Sequence, residues 1–285
     1  MDVYEFMTGR ILDLLGKGTV PWHRPWNPDA GMPQNLITKR AYRGINVVLL
    51  TSSGFSSSYW LTFKQAIQLG GNVRRGERGT PVIFWKHQIL EEDAETGERR
   101  VRNRVLLRYY TVFNAEQVEG IQIPQVEHRQ FNPIDACEHV LAGIPNPPAI
   151  HHGSDQAAYF PKQDKIVMPT QTLFRSSEEY YSTLFHELGH ATGHPDRLAR
   201  KSLYDLCPFG TTNYSREELV AEMTATFLCG TAGIENRTTN NSAAYIAGWL
   251  RALKDDPKAV VIAAAQAQKA ADWILGKSEA KEAAA

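Results

Sequence analysis

The sequence has 285 residues, of which 42% are hydrophobic and 22% are charged. These values are ordinary for globular proteins and exclude a disordered chain or a fibrous repeat, and the length corresponds to about two domains. No apolar run approaches the ~18 residues that a membrane-spanning helix needs. The acidic opening also lacks the basic and apolar regions of a secretory signal. We therefore expect a cytoplasmic protein with no membrane partner.

The formal net charge is zero, but the charges are unevenly distributed. Residues 1–90 contain 11 Lys and Arg against 5 Asp and Glu, a balance of +6, so the remainder of the chain carries −6. This asymmetry indicates two modules with different partners, and the basic first module is expected to bind a polyanion. Three scattered cysteines with no CxxC pair indicate reduced thiols and exclude a cysteine-based zinc finger.

The first half of the chain mixes helices with a β-hairpin. Apolar residues at helical spacing predict a core-facing helix from Tyr4 to Leu15, and three prolines around Trp22 and Trp26 predict a loop. A short helix is expected over residues 64–69, and strands over 81–85 and 101–113 predict a hairpin. Residues 116–132 have few apolar side chains and no helical or strand periodicity, which is typical of a domain boundary and favours a first domain of residues 1–128.

The second domain, residues 129–285, is expected to begin with a helix from about residue 133. Short strands follow near 149–151, 157–160 and 165–168, the last of them stopped by Pro169. Helices are then predicted over 177–193, 215–230, 242–253 and 257–275. A small sheet followed by a helical C-terminal part, after an N-terminal domain with a hairpin, indicates an α+β protein.

The helix predicted over residues 177–193 contains an HExxH motif, from His186 to His190. Residues four apart share one helix face, so both imidazoles can reach one metal ion while Glu187 faces the water that the ion activates. Zinc lowers the pKa of its bound water towards ~7, and a neighbouring carboxylate accepts that proton and later delivers it to a leaving amine. The motif therefore predicts a zinc metallopeptidase site with Glu187 as the catalytic residue. The strand before Pro169 stands where zincin proteases have their substrate-pairing edge strand.

A third protein ligand has to come from elsewhere, and three candidates compete. Asp196 completes an HExxHxxGxxD pattern found in some metzincins, although no Met-turn sequence follows. His194 lies beyond the expected end of the helix. Glu218 and Glu222 share one face of the next helix, although Ser215 and Glu218 also match a capping box. We favour Glu218 as the ligand and Glu222 as the partner of a ligating imidazole, with the two roles exchanged as the next choice. Zn²⁺ suits two imidazoles and a carboxylate, and Mn²⁺ is an alternative.

Cations in the first half are interleaved with aromatic residues. Phosphates bind Lys and Arg, and unstacked bases lie on aromatic faces at ~1–3 kcal/mol each, whereas no recognition helix for duplex DNA stands out. The pattern predicts binding of a single strand, although each cation taken alone could be a solvated surface residue and Trp60 a core residue. The candidate residues are Trp22, Trp26, Lys39, Arg40, Tyr42, Arg43, Trp60, Lys64, Arg74, Arg75 and Arg78.

Segments in both halves resemble those of a known family. In the first half they are Tyr42-Arg43-Gly44-Ile45-Asn46, Trp60-Leu61-Thr62-Phe63-Lys64-Gln65, Gly76-Glu77-Arg78-Gly79-Thr80 and Tyr110-Thr111-Val112-Phe113-Asn114. They resemble the N-terminal domain of ArdC-type antirestriction proteins. The second half, with the HExxH motif and Glu217-Glu218-Leu219-Val220-Ala221-Glu222, resembles the zincin-like metallopeptidase domain that follows in the same family.

The resemblance implies a plasmid- or phage-borne protein whose N-terminal domain binds single-stranded DNA and which protects incoming DNA from host restriction endonucleases. It also implies a gluzincin-like site, which supports Glu218 over Asp196. A second function stays in view, that of a DNA-recruited metalloprotease cleaving a restriction enzyme or another protein bound to the same strand. Glu187 is needed for hydrolysis but not for holding zinc, so its presence favours catalysis.

Overall fold

A computed structural model describes residues 2–22, 32–93, 99–124, 133–204, 212–234, 236 and 243–277. The helices are α1 (Val3–Gly16), α2 (Ile45–Thr51), α3 (Phe63–Gln68), α4 (Pro133–Ala142), α5 (Ser177–Ala191), α6 (Lys201–Tyr204), α7 (Thr212–Ala232), α8 (Ala243–Asp255) and α9 (Ala259–Ile274). The strands are β1 (Gln34–Asn35), β2 (Tyr59–Thr62), β3 (Asn72–Val73), β4 (Thr80–Asp93), β5 (Arg99–Asn114), β6 (Val118–Glu119), β7 (Ala149–His152), β8 (Ala158–Phe160) and β9 (Lys165–Met168). The predicted α+β class is confirmed. Trp26 and the expected tip of the hairpin lie outside the described residues.

The N-terminal sheet is built on the predicted hairpin. Its strand order is β1-β2-β5-β4, and β4 pairs with β5 in antiparallel register, with Val82 opposite Tyr110. At the edge strand β4, the side chain of Asn46 donates to the Ile83 carbonyl at 2.8 Å and accepts from the Ile83 N–H at 2.7 Å. This paired contact fixes α2 against the sheet and satisfies two backbone groups that an edge strand would otherwise leave open.

The second sheet has the order β7-β9-β8, with β9 parallel to β7 and antiparallel to β8. The strand that ends before Pro169 is therefore central, and the expectation that it forms a free edge is wrong, because neighbours cover it on both sides. The metal-motif helix α5 follows this sheet. It begins after Ser176, whose hydroxyl accepts a hydrogen bond from the Glu179 N–H at 3.3 Å, and such a cap fixes where the helix starts.

One continuous apolar core extends through both halves of the chain. Trp22 packs edge-on against Trp249 with ring centroids 5.1 Å apart, and α1 contacts both α8 and α9. The boundary predicted near residue 128 falls within residues 125–132, outside the described part, and it stays a prediction. The segments before and after this boundary bury apolar surface against each other, so the packing gives no support for independent folding of either segment.

Two of the three cysteines, Cys137 and Cys229, are buried free thiols, and Cys207 lies outside the described residues. Within the ranges that the structure describes, no helix has both the length and the hydropathy required of a membrane span.

Candidate metal centre and nucleic-acid surface

The metal motif depends on a close approach of two helices. Gly189 lies in α5 against α7, where an added Cβ would be 3.0 Å from the Ala221 Cα and 3.2 Å from its carbonyl oxygen. Only glycine lets the backbones pack this closely without displacement. The close approach brings the face of α7 that carries Glu218 to the face of α5 that carries His186 and His190.

His186, His190 and Glu218 form a group in which one ligand atom from each residue lies within 4.8 Å of the others. The two Nε2 atoms are 3.2 Å apart. Of the Glu218 carboxylate, Oε2 lies 3.5 Å from His186 Nε2 and Oε1 lies 3.4 Å from His190 Nε2. The two imidazole nitrogens and the Glu218 carboxylate therefore form a triangle of three groups, in which a different carboxylate oxygen faces each nitrogen.

The size of this triangle fits a divalent metal ion. Bond lengths of about 2.0–2.2 Å and tetrahedral angles give ligand-to-ligand separations of about 3.3–3.6 Å. The observed nitrogen–nitrogen and nitrogen–oxygen separations lie between 3.2 and 3.5 Å, each nitrogen being measured to the Glu218 oxygen that faces it. Two imidazole nitrogens and a carboxylate oxygen are also a donor set that zinc and similar ions accept. The residues present thus fit such an ion in both spacing and chemistry.

Each imidazole faces a second carboxylate through its other nitrogen. His186 Nδ1 lies 3.6 Å from Glu222 Oε1, and His190 Nδ1 lies 3.6 Å from Glu217 Oε1. Carboxylates at these positions orient ligating histidines and fix which nitrogen carries the proton. The pairing of Glu217 with His190 was not predicted.

Glu217 is itself held by a buried guanidinium. Arg200 donates to the Glu217 carboxylate at 2.6 and 3.3 Å, and Ser202 donates to it at 2.6 Å. Arg200 also donates to Thr192 Oγ1 at 2.5 Å and to the Gly189 carbonyl at 2.7 Å. These contacts tie the end of α5 to α7 directly behind the metal-binding triangle.

Glu217 and Glu218 are both held in the ionised form. Burial raises the pKa of Glu217, but its contacts with His190 and Arg200 outweigh burial and lower that pKa to about 2. Burial likewise opposes ionisation of Glu218, whose pKa the two histidines nevertheless hold well below its usual range. Burial lowers the pKa of His190, but Glu218 and Glu217 raise it well above its usual value. The site therefore favours positive charge at the imidazoles.

The other candidate ligands lie apart from this triangle. Asp196 is 76% exposed, and its carboxylate lies 3.6 Å from His194 Nδ1, so these two face each other. Helix α7 begins at Thr212, which places Ser215 inside the helix and not at its cap. The geometry favours Glu218. Glu187 is 8% exposed and stands on α5 between the two histidines.

The predicted nucleic-acid residues divide into a buried set and an exposed set. Trp22 and Trp60 are 0% and 2% exposed, so their prediction as base-stacking residues is wrong for this structure, because their faces are covered by the core. Tyr42 is 7% exposed, and its DNA-binding role stays a prediction. The cations are on the surface. The exposed cations are Lys39, Arg40, Arg43, Lys64, Arg74, Arg75 and Arg78.

Within the described part of the chain, two of these surface cations pair with carboxylates. Arg43 makes an ion pair with Asp272 of α9, and Arg74 lies 3.1 Å from Glu77. Neither pair was predicted. The pair of Arg43 depends on where Asp272 lies in the fold, whereas Arg74 and Glu77 are only three residues apart in the chain. Large exposed aromatics are present elsewhere, including Phe84, Tyr109 and Tyr110 of the hairpin, which sequence reasoning passed over as strand residues.

Comparison with known proteins identifies the family. Family models match residues 1–113, as the N-terminal domain of anti-restriction factor ArdC, and residues 142–266, as a zincin-like metallopeptidase. The metal-free crystal structure of the antirestriction protein ArdC from plasmid R388 is 38% identical, with a TM-score of 0.79, and the match covers 97% of this chain and 98% of that one. The chain belongs to the ArdC antirestriction family. The predicted family is thereby confirmed.

Other relatives extend the comparison. The Mn(II)-bound structure of R388 ArdC is 37% identical with a TM-score of 0.74, over 97% of this chain and 98% of that one. Uncharacterized protein y4eC of Sinorhizobium fredii is 35% identical over 96% of this chain and 91% of its own length. An Escherichia coli protein named DNA primase TraC is 37% identical over 95% of this chain, which spans only 27% of that relative. The Mn(II)-bound ArdC structure and the His–His–Glu group together indicate a divalent-metal site in this chain.

Proposed function

We propose that this chain binds single-stranded DNA and thereby protects incoming plasmid or phage DNA from host restriction endonucleases in the cytoplasm. The observation that carries the proposal is the match over 97% of the chain to an antirestriction protein. The exposed cations of the first half support DNA as the partner, since they suit a phosphate backbone. The relatives named DNA primase point to the same partner. We assign DNA binding to residues 1–128 and the metallopeptidase-like function to residues 129–285.

The test measures binding of the full chain to labelled single-stranded and duplex oligonucleotides at several salt concentrations. We expect a preference for the single strand and a log–log salt slope of roughly 0.7 for each phosphate neutralised. Arg75→Ala should reduce that slope, whereas Lys162→Ala, an exposed cation of the second half, serves as the matched control. Digestion of a DNA carrying single-stranded regions by a restriction endonuclease, with and without the chain, then measures protection. Equal affinity for duplex or an absent salt dependence would contradict the proposal.

We further propose that His186, His190 and Glu218 hold a Zn²⁺ ion in a gluzincin-like site. When bound, zinc supplies a Lewis acid that polarises a peptide carbonyl and lowers the pKa of water. Glu187 would accept a proton from the attacking water and deliver it to the leaving amine. Glu222 and Glu217 would keep the imidazoles oriented with Nε2 towards the ion.

Metal analysis of purified variants tests the ligand set. His186→Ala and Glu218→Ala should lose the ion, because each removes a corner of the triangle. Asp196→Ala is the matched carboxylate control and should retain it, since its side chain is exposed and faces His194. Loss of metal in Asp196→Ala with retention in Glu218→Ala would support the metzincin pattern instead.

A second candidate function is that of a metalloprotease recruited by DNA to cleave a protein on the same strand. The observation in its favour is that Glu187 follows His186 on α5 and that its charge acts on His190, so a proton acceptor stands beside the histidine pair. The test incubates the metal-loaded chain with restriction enzymes, with and without single-stranded DNA, and follows cleavage on a gel. Fragments that depend on both the metal and the DNA would favour this function over passive protection.

A further inference from the structure

Two aromatic side chains of the hairpin form an exposed patch that the core does not use. Phe84 of β4 and Tyr110 of β5 are 45% and 47% exposed, and their rings lie edge to face with centroids 5.6 Å apart. They stand on one face of the hairpin, because Val82 is opposite Tyr110 and side chains two apart share a face. Tyr109 points to the other face and packs on Phe6, with ring centroids 5.6 Å apart.

A cavity of 570 Å³ opens beside Phe84, at the junction of the hairpin with α9. Its walls include Tyr42, whose ring centroid is 6.4 Å from that of Phe84, and Ala265 of α9. This volume is within the range of about 300–1,000 Å³ typical of small-ligand sites, so it accommodates a base with its sugar. We define Phe84, Tyr110 and this cavity as the junction groove.

The groove wall is fixed by contacts between the two halves of the chain. The Gly44 N–H donates to Gln268 Oε1 at 3.0 Å, and Arg43 pairs with Asp272. Both partners belong to α9. A groove held in this way needs little ordering when a ligand enters, which lowers the entropic cost of binding.

The net charge along the groove is positive even though Asp272 offsets the charge of Arg43. The described residues that line the cavity include the cations Arg40, Arg43 and Lys269 and no carboxylate. Arg108, exposed and opposite Phe84, adds a further cation beside the aromatic patch. Aromatic faces bordered by cations suit a single strand, in which every base offers a π face and every linkage a phosphate.

We propose that the junction groove is the base-stacking site for single-stranded DNA, with bases on Phe84 and Tyr110 and phosphates towards Arg40 and Lys269. The proposal rests on the proposed DNA-binding function and deepens it in two ways. The stacking residues are those of the hairpin and not the buried tryptophans. The strand also crosses from the N-terminal sheet onto α9, so a helix of the peptidase half contributes to DNA affinity.

The test uses fluorescence anisotropy of the full chain with a labelled oligothymidylate. Phe84→Ala and Tyr110→Ala should each raise Kd by about 5- to 150-fold, the range found for one lost stacking contact. The salt slope should stay unchanged in both, because no phosphate contact is removed. Tyr109→Ala is the matched control, since this neighbour is 56% exposed on the opposite face, and it should bind as the unaltered chain does.

Two further variants probe the α9 side of the groove. Lys269→Ala should lower the log–log salt slope by about 0.7. Ala265→Trp adds bulk at the cavity wall without deleting a contact and should weaken binding as well. Thermal unfolding of each variant verifies that it is folded, and Phe84→Leu, which keeps apolar bulk but loses the flat ring, should weaken binding in a chain that unfolds like the unaltered one.

The outcomes distinguish this proposal from the proposed function. If the unaltered chain prefers the single strand but Phe84→Ala and Tyr110→Ala bind as tightly as Tyr109→Ala, the groove assignment is overturned and the function survives. If the unaltered chain shows no preference for single-stranded DNA, the function itself fails. Tighter binding of oligouridylate, or of a peptide that competes with the oligonucleotide, would assign the groove to another ligand.

Discussion

Replacing Glu217 with glutamine keeps all three proposed metal ligands and removes the negative charge that faces His190. The carboxylate lies 3.6 Å from His190 Nδ1 and accepts from the buried Arg200 at 2.6 and 3.3 Å. The amide cannot neutralise the guanidinium, and it can present an N–H donor to the imidazole instead of an acceptor. Both the stability of the metal-free chain and its affinity for metal should fall.

The two magnitudes come from different contacts. Removing one partner of a buried ion pair costs about 3–5 kcal/mol. Arg200 keeps its hydrogen bonds to Thr192 and to the Gly189 carbonyl, so we expect the free energy of unfolding to fall by about 2–4 kcal/mol. Loss of the carboxylate behind a ligating histidine lowers metal affinity by about 10- to 100-fold, which corresponds to roughly 1.4–2.7 kcal/mol.

Urea unfolding of the metal-free chain and competition with a chromophoric chelator measure the two effects separately. Glu179→Gln is the control on α5, because its carboxylate accepts from the Arg175 N–H, away from the metal ligands. In the double variant Arg200→Met, Glu217→Met the ion pair is removed as a whole, so stability should recover in part, because the Gly189 carbonyl and Thr192 still lose a donor. Metal affinity should stay low. Unchanged metal affinity in Glu217→Gln, or restored affinity in the double variant, would refute the proposed role of Glu217.

Two further predictions concern packing and pH. Gly189→Ala forces α5 away from Ala221, so we expect metal affinity to fall and the free energy of unfolding to drop by about 1–3 kcal/mol. Gly9→Ala is the control, because nothing lies within 4 Å of its added Cβ, and it should stabilise α1 by about 0.5–1 kcal/mol. Hydrogen bonds from Arg197, at 2.7 and 2.8 Å, lower the pKa of Asp164. The carboxylate of Asp164 therefore contributes fully to the free energy of unfolding above its unfolded pKa of about 4. This contribution is lost as the pH falls through the lower pKa of the folded state. Urea unfolding should show Asp164→Asn less stable than the unaltered chain by about 1.5–3 kcal/mol near neutral pH. If this difference in unfolding free energy does not shrink on acidification, the stabilising role of the Asp164 carboxylate is contradicted.

The candidate metal ligands could be proposed from the sequence because their arrangement is local. Positions four apart share a face in any α-helix, which places His186 and His190 on one face and Glu218 and Glu222 on another. Predicting the site then required only the assumption that these two faces meet. The hairpin was predictable for the same reason, since its strands follow each other directly. The role of Glu217 was not, because it depends on Arg200, which lies in another part of the chain.

The aromatic residues show where local reasoning fails. Trp22 stands among prolines and Trp60 near cations, which is typical of a binding surface, yet Trp22 packs on Trp249 and Trp60 on Phe55, with ring centroids 5.1 and 5.7 Å apart. Whether an aromatic side chain faces solvent is decided by contacts that are distant in sequence. Exposed aromatics such as Phe84 fit a strand pattern as well as buried ones do, so the pattern could not separate them.

The two proposed functions make opposite predictions for Glu187→Gln. The two histidines and Glu218 remain, and the amide has nearly the same shape as the carboxylate, so metal content and single-strand affinity should be unchanged. Loss of the proton acceptor should lower any peptidase rate by ~10²–10⁴ or more. Passive protection predicts that the variant still protects DNA from restriction, whereas a proteolytic mechanism predicts that protection disappears.

A variant impaired in DNA binding, compared with Glu187→Gln, distinguishes passive protection from proteolysis. Tyr110→Ala should weaken single-strand binding and leave the metal centre intact, because the ring of Tyr110 packs on Phe84, and the three candidate ligands lie on other elements. The assay compares transfer of a plasmid into restricting and non-restricting hosts in the presence of each variant. We expect protection to persist in Glu187→Gln and to be reduced in Tyr110→Ala, because occupancy of the strand is enough to exclude a restriction enzyme. If Glu187→Gln abolishes protection while it still binds metal and DNA, occupancy is insufficient and proteolysis belongs to the mechanism.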